Sequence, residues 1–471
     1  MTGTLRVRVS VFVLGALLAI VPTQLVYANI ITVTTQTDEV VANGVCSLRE
    51  AVISLNTGSP VGGCVAVTGP NTIVLNPGTY TLTITGDNED SAATGDLDIR
   101  TSMEIHGSGV ANTIIQWDPT LSTTAVDRVF DIFNDSGNVV RIADVTIQNG
   151  VARDSGTGEE GGGIFSEATL TLERVVLTNN RSEMDGGGLM NTAEFGGPGV
   201  ANIIDSTVSN NVAGAFGTPP TDGGGGIYNR GGGTVNLIRS TVSGNGAALL
   251  GGGIFNEAST LNATNATISG NHANSDGGGI LNTSGGTVNL NNVTISNNTA
   301  DADNNNSGNG GGLRNISGTV TIANTLIAGN IDATTGGTVD PDCAGTLTSN
   351  GFNLVGDTSG CTVSGGPFDK LNIDPGIGPL ANNGGPTQTH ALLPGSPAID
   401  MGNRALPGSG GNACDAVDQR FVHRAQGRFC DIGAFEFVFR SAPAASHGVL
   451  ALTALLLVCG GVWRVRRRQV A

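Results

Sequence analysis

The chain has 471 residues, 73 of them Gly and only 13% charged, where an ordinary globular domain carries about 7% Gly and about a quarter charged residues. With no G-X-Y period this excludes collagen, and Val, Ile and Leu runs recurring between the glycines favour a turn-rich repeat fold over disorder. The net charge is -17, and seven basic residues stand at the ends (Arg6, Arg8, Arg440, Arg464, Arg466, Arg467, Arg468), so the body sets fifteen basic against 39 acidic residues and repels nucleic acid.

Residues 1–28 read as a secretory signal peptide. Arg6 and Arg8 precede an apolar run over 9–21, and cleavage is expected after Ala28. An uncleaved membrane anchor is the rival reading. Residues 29–70 form an N-terminal cap. Within it, Cys46-Ser-Leu-Arg-Glu-Ala51 opens a helix over 48–55 with Ser47 as N-cap, laid over the first rung. Arg49 and Glu50 are expected to pair locally, and a catalytic pair is the rival. Strand-like pieces follow at 73–75, 80–84, 97–105 and 139–147, inside a repeat region of 71–365.

From residue 161 a two-part unit repeats. Gly-Gly-Gly-apolar-x-Asn occurs at 161–166 (Ser replacing Asn), 186–191, 224–229, 251–256, 277–282 and 310–315. An alternating strand ending in Asn follows each copy. Two columns result. The first is Ser166, Asn191, Asn229, Asn256, Asn282 and Asn315; the second is Asn180, Asn211, Asn245, Asn271, Asn298 and Asn330. The rung is about 26 residues, which means a solenoid. Short β-branched strands between Gly and Asn turns, with no 3.6-residue apolar period, exclude helical repeats. The chain therefore reads as an all-β parallel β-helix, its Asn amides stacked into ladders and tolerant of left-handed corners.

Insertions at 151–160, 212–222 and 299–309 leave the same corner after column two, with Gly150 aligned in that column. Insertions on one face often mark a binding face. They carry Asp154, Glu159, Glu160, Asp222, Asp301 and Asp303, while Asp185 and Asp276 approach the Gly-Gly-Gly turn in other rungs. Weak Ca²⁺ binding is the sharp reading of this corner. A solvated row of carboxylates is the bland one. No other cofactor is expected.

Six cysteines fall into near pairs, Cys46/Cys64, Cys343/Cys361 and Cys414/Cys430, and Cys459 stands in the tail. Local disulfides are the simplest of the fifteen connectivities. Zinc is the rival, with no C-x2-C spacing and 5 His. A last coil is expected at 347–355 and a C-terminal capping region at 366–440. Residues 441–471 read as a sorting tag or a transmembrane anchor, with sixteen mostly apolar residues at 448–463 before four arginines.

Cys46-Ser-Leu-Arg-Glu-Ala51 resembles the CSLREA motif of bacterial exported β-helix proteins, and Gly95-Asp-Leu-Asp-Ile99 looks like a second block of that family. The segments 378–390, 393–400, 418–420 and 430–436 are similar to the closing region of choice-of-anchor Q proteins. Phe421 follows Asp-Gln-Arg where that family has Gly. The Gly-Gly-Gly-Ile-x-Asn units resemble polymorphic outer membrane protein repeats, and the tail resembles PEP-CTERM and IPTL-CTERM sorting tags without either signature. The resemblance implies a right-handed, single-stranded, pectate-lyase-like parallel β-helix with capped ends, displayed at a bacterial surface. It implies no single activity.

Two functions follow. The favoured one is a non-catalytic, surface-anchored scaffold or adhesin that presents one face to a glycan or surface protein. The alternative is a polysaccharide lyase or glycoside hydrolase acting on an acidic polysaccharide. Arg230 and Arg314 near Asp222 and Asp276 form the candidate lyase group, with Arg174, Arg239 and Lys370 as other cations; His390, Asp400, Asp418 and Asp431 are candidate acid–base groups of the closing region. No nucleic-acid partner is expected, the membrane is met through the C-terminal segment, and the oligomeric state is open.

Overall fold

The computed structural model describes residues 29–65, 71–86, 89–123, 126–153, 160–216, 223–336 and 339–439. The signal-peptide stretch, the tail with Cys459, and the insertion residues Asp154, Glu159 and Asp222 lie outside the described residues. No described helix is long and apolar enough to cross a membrane.

The chain winds as a right-handed parallel β-helix with four strands per coil. One coil runs Ile254–Glu257, Thr260–Thr264, Thr267–Ser269 and His272–Ala273 before the next Gly-Gly-Gly turn. Each strand pairs in parallel with its counterpart one coil on; Asn229 faces Asn256, which faces Asn282. The expected two-part unit thus resolves into four faces. The alternating strand breaks in two at a left-handed corner occupied by Asp144, Arg174, Asp205, Arg239, Asn265, Asn292 and Asn324, all with φ near 50–60°. The two-residue strand was too short to carry a periodic signal.

Each glycine of the Gly-Gly-Gly turn has its own cause. Gly251 has φ +58, a backbone that disfavours any β-carbon. A Cβ on Gly252 would meet the His272 carbonyl oxygen at 2.2 Å. One on Gly253 would stand 2.6 Å from the Gly279 carbonyl oxygen and 3.0 Å from the Asn271 amide.

Both Asn columns form ladders. In column two each Nδ2 donates to the next Oδ1, from Asn180 through Asn211, Asn245, Asn271 and Asn298 to Asn330, at 2.8–3.0 Å. Gly150 N–H closes the near end on Asn180 Oδ1 and Asp342 Oδ1 closes the far end. The ladder residues do not themselves turn left-handed. That backbone belongs to the residue before each: Asn179, Asn210, Gly244, Gly270, Asn297 and Gly329. Column one links Asn191, Asn229, Asn256, Asn282 and Asn315 at 2.8–3.0 Å. It stops short of Ser166, whose hydroxyl and the Asn191 Oδ1 are buried without partners.

Inward residues such as Ile254, Leu261, Ile268 and Ile295 are fully buried in one core that runs from Ile31 to Val355. The N-terminal end is closed by the helix Leu48–Thr57, with Ser47 and Glu50 forming a reciprocal capping box. Arg49 does not pair with Glu50. It is fully buried, reaches Asp38 at 2.6 Å, and donates to the carbonyls of Ala92, Gly95 and Asp96 at 2.9–3.0 Å. The helix thereby clamps the second sequence block, 95–99. Disulfides join Cys46 to Cys64, Cys343 to Cys361 and Cys414 to Cys430.

The last coil strand is Lys370–Leu371, past the expected limit of 365. The closing region then turns back and lies along the flank of the coils rather than across their end. Leu392, Ala398, Ile432 and Phe435 pack on Leu326 and Leu354. Asn265 donates to Val417 O, Asn292 Oδ1 accepts from Asp415 N, and Asn324 donates to Asn412 O, at 2.9–3.1 Å. Corners with Arg and Asp stack on themselves, Arg174 on Asp144 and Arg239 on Asp205, each at 2.7 Å. Corners with Asn leave amides to receive the returning segment, which also meets the Arg239 corner through Thr387 and the Phe421 ring.

Candidate functional site

The insertions leave one corner in register, after the short strands Val151–Ala152, Val212–Ala213 and Thr299–Ala300. Their described carboxylates brace loops. Asp185 accepts from Gly223 N at 2.7 Å and Asp276 from Asn309 N at 2.9 Å. Asp301 is fully buried and accepts from Thr334 Oγ1 at 3.0 Å, and Asp303 accepts from Asn305. Glu160 meets Arg230 at 2.6 Å. These groups share a face but do not converge on one point.

The described carboxylates that do converge are Asp96, Asp98 and Asp131, whose oxygens lie within 4.8 Å of one another. Asp98 and Asp131 face each other in the paired strands Leu97–Ile99 and Phe130–Ile132. Burial pushes Asp98 up to about 8 and raises Asp96 and Asp131 as well, with neighbouring carboxylates adding to it. Arg128 contacts Asp131 at 2.6 Å. Burial alone would lower the Arg128 pKa, but Asp131, Asp127 and Asp96 outweigh it and raise it. Burial and crowding thus favour the protonated carboxyls here, and a hard cation suits the same oxygens. Its sequence signal was the matched pair Leu97-Asp98-Ile99 and Phe130-Asp131-Ile132, of which the first was read only as strand and motif and the second not at all.

Every repeat arginine considered for catalysis is held by acid. Arg230 lies between Glu160 at 2.6 Å and Glu194 at 3.0 Å. Burial would lower its pKa, yet these two carboxylates raise it, which suits an ion pair and not a base. Arg314 stands 3.6 Å from Asp276. In the closing region, His390 is 1% exposed, with Nε2 on Ser269 Oγ at 2.9 Å and Nδ1 on Gly378 O at 2.8 Å; burial holds its pKa low. Asp418 pairs with Arg420 at 2.6 Å, Asp400 accepts from Arg428 N, and burial with nearby Glu436 raises Asp431 to about 7. His390 is a joint between the closing segment and the coil, and the three aspartates brace the closing segment internally.

A further surface was not anticipated. The outward side of the five-residue strands carries a third ladder. Asn236 donates to Asn202, Asn262 to Asn236 and Asn289 to Asn262, at 2.8–2.9 Å. The closing segment borders this ladder and encloses two adjoining hollows of about 280 Å³ each. Asn262, Asn289 and Thr321 line one wall, and Gly411 and Asn412 the other. An amide has two N–H donors and two acceptor sites. The ladder uses one of each at Asn236 and Asn262, and Asn262 and Asn289 are the ladder residues that line the cleft.

No family model and no curated protein matches the chain. Among solved structures, pectate lyase Pel9A is 15% identical, covering 79% of this chain and 89% of its own, with a TM-score of 0.47. The A-modules of the Azotobacter vinelandii mannuronan C-5 epimerases AlgE6 and AlgE4 are 17% and 15% identical. Each covers 71% of this chain, with 94% and 96% of their own lengths and TM-scores of 0.30 and 0.31. The likeness at this level is of fold alone.

Proposed function

We propose that the protein is an exported, surface-held β-helix that binds a polysaccharide along its flank without cleaving it. The cleft between the outward Asn ladder and residues 408–415 carries this reading. A row of amides repeating once per coil, about 4.8 Å apart, suits an extended ligand rich in hydroxyl groups. The ion-paired arginines favour binding over elimination chemistry. The resemblance to CSLREA and choice-of-anchor Q proteins at the two ends supports display at a bacterial surface, and the apolar tail at 448–463 supports anchoring there.

The test is a binding panel of acidic and neutral polysaccharides, run beside reducing-sugar and unsaturated-product assays. Binding without product is expected. Asn262→Ala with Asn289→Ala is expected to weaken it about tenfold, since each lost hydrogen bond contributes about 0.5–1.5 kcal/mol. Product formation, or binding indifferent to both changes, would overturn the reading.

A further inference from the structure

Of the fifteen described Lys and Arg residues, eleven lie within 4 Å of a carboxylate. The other four are Arg181, Lys370, Arg404 and Arg428. In a body so acidic, a cation with no acid partner is unusual, and three of these four belong to one region.

That region adjoins the far end of the cleft. Asn412, on the cleft wall, accepts from Asn403 Nδ2 at 2.9 Å and from Asn350 Nδ2 at 3.2 Å. Arg404 follows Asn403. Its guanidinium lies over the Phe368 ring at 4.2 Å and reaches the Phe429 ring at 5.5 Å, while Arg428 covers Phe429 at 5.1 Å. Phe352, two residues past Asn350, stacks on Phe368 at 5.2 Å. Lys370 stands two residues beyond Phe368. Ring faces fix the planes of both guanidiniums and leave their N–H edges open to solvent. Phe368 is 57% exposed. The nearby acids are otherwise engaged: Asp400 accepts from the backbone of Arg428 and Phe429, and Asp369 from Asn353.

We propose that the polysaccharide is anionic, and that Arg404 and Arg428, with Lys370 beside them, form the subsite for its acid groups at the C-terminal end of the cleft. The inference rests on the glycan-binding reading and adds the ligand's charge. Guanidinium edges match carboxylate and sulfate oxygens in paired hydrogen bonds. An exposed ring beside them offers an apolar face to the sugar. The surrounding negative surface discourages an acidic polymer elsewhere and so fixes its register.

The full exported chain is titrated with polygalacturonate, alginate and chondroitin sulfate, and with methyl-esterified pectin and dextran as neutral probes. Tighter binding of at least one acidic polymer than of either neutral one is expected, weakening as salt rises. Arg404→Ala with Arg428→Ala is expected to lower that affinity about tenfold or more and to leave neutral binding unchanged. Arg181→Ala, at the remaining described cation without an acid partner among the described residues, serves as control and is expected to change nothing. Equal binding of neutral and acidic polymers, or an acidic affinity untouched by the double variant, overturns this inference and leaves the cleft reading standing. Binding to no polysaccharide overturns both, including the case where vesicles of anionic phospholipid bind instead.

Discussion

Between Asn180 and Asn330 the two buried Asn columns of the coil are neutral amides, each bonded to a copy of itself one coil away. Where the repeat gives way to other structure there are buried charged groups with dedicated, unrepeated partners: Arg49 with Asp38 in the cap at the N-terminal end, Arg424 with Glu436 in the closing segment on the flank. The difference follows from periodicity. Within a repeat every group faces its own copy, and an amide, both donor and acceptor, complements itself. A carboxylate or guanidinium does not. Where the repeat stacks charges, at Asp144, Arg174, Asp205 and Arg239, the sign alternates. An end has no next coil, so its carbonyls need a donor brought from elsewhere, and one guanidinium serves three of them.

The largest effect should come from breaking an end. Arg49→Met leaves Asp38 buried and three carbonyls without donors, a loss of about 3–5 kcal/mol. Hydrogen exchange should quicken over 29–57 and 92–99 while the middle coils keep their protection. Part of the loss should return with Asp38→Leu, and uniform quickening along the chain would break the contrast. The next largest effect belongs to the middle. Asn245→Ala removes donors to Asn271 Oδ1 and Val208 O and the acceptor for Asn211. The expected cost is about 2–3 kcal/mol, with quickened exchange confined to the coils on either side.

The coil was legible because its physics is periodic. Gly, Asn and alternating apolar residues recur where close approach, amide stacking and burial recur, so two columns, the disulfide pairs and the Ser47 cap could be read directly. What escaped was not periodic. The strand Phe130–Ile132 precedes the regular rungs, His272–Ala273 is too short to alternate, and Arg49 meets Asp38 and residues 92–96 only through the fold. The flank docking of the closing region also escaped. Its signal lay in the corner column, which changes from Arg and Asp to Asn at Asn265, but the outward side of a corner becomes meaningful only once the coils are stacked. The cleft depends on that docking and was hidden with it.

The smallest expected effect sharpens the comparison most. Asn262 and Asn245 are the same residue in the same kind of ladder, with Nδ2 to Oδ1 distances of 2.9 Å in each. Asn245 is fully buried, whereas Asn262 is partly open to the cleft. Water can replace the partners that Asn262 loses, so Asn262→Ala should cost less than about 1 kcal/mol, against about 2–3 for Asn245→Ala. Equal losses would mean that ladder geometry, not desolvation, sets the strength of these bonds. The same variant separates stability from function. With the coil intact, any loss of polysaccharide affinity in Asn262→Ala reports the loss of one amide that lines the cleft.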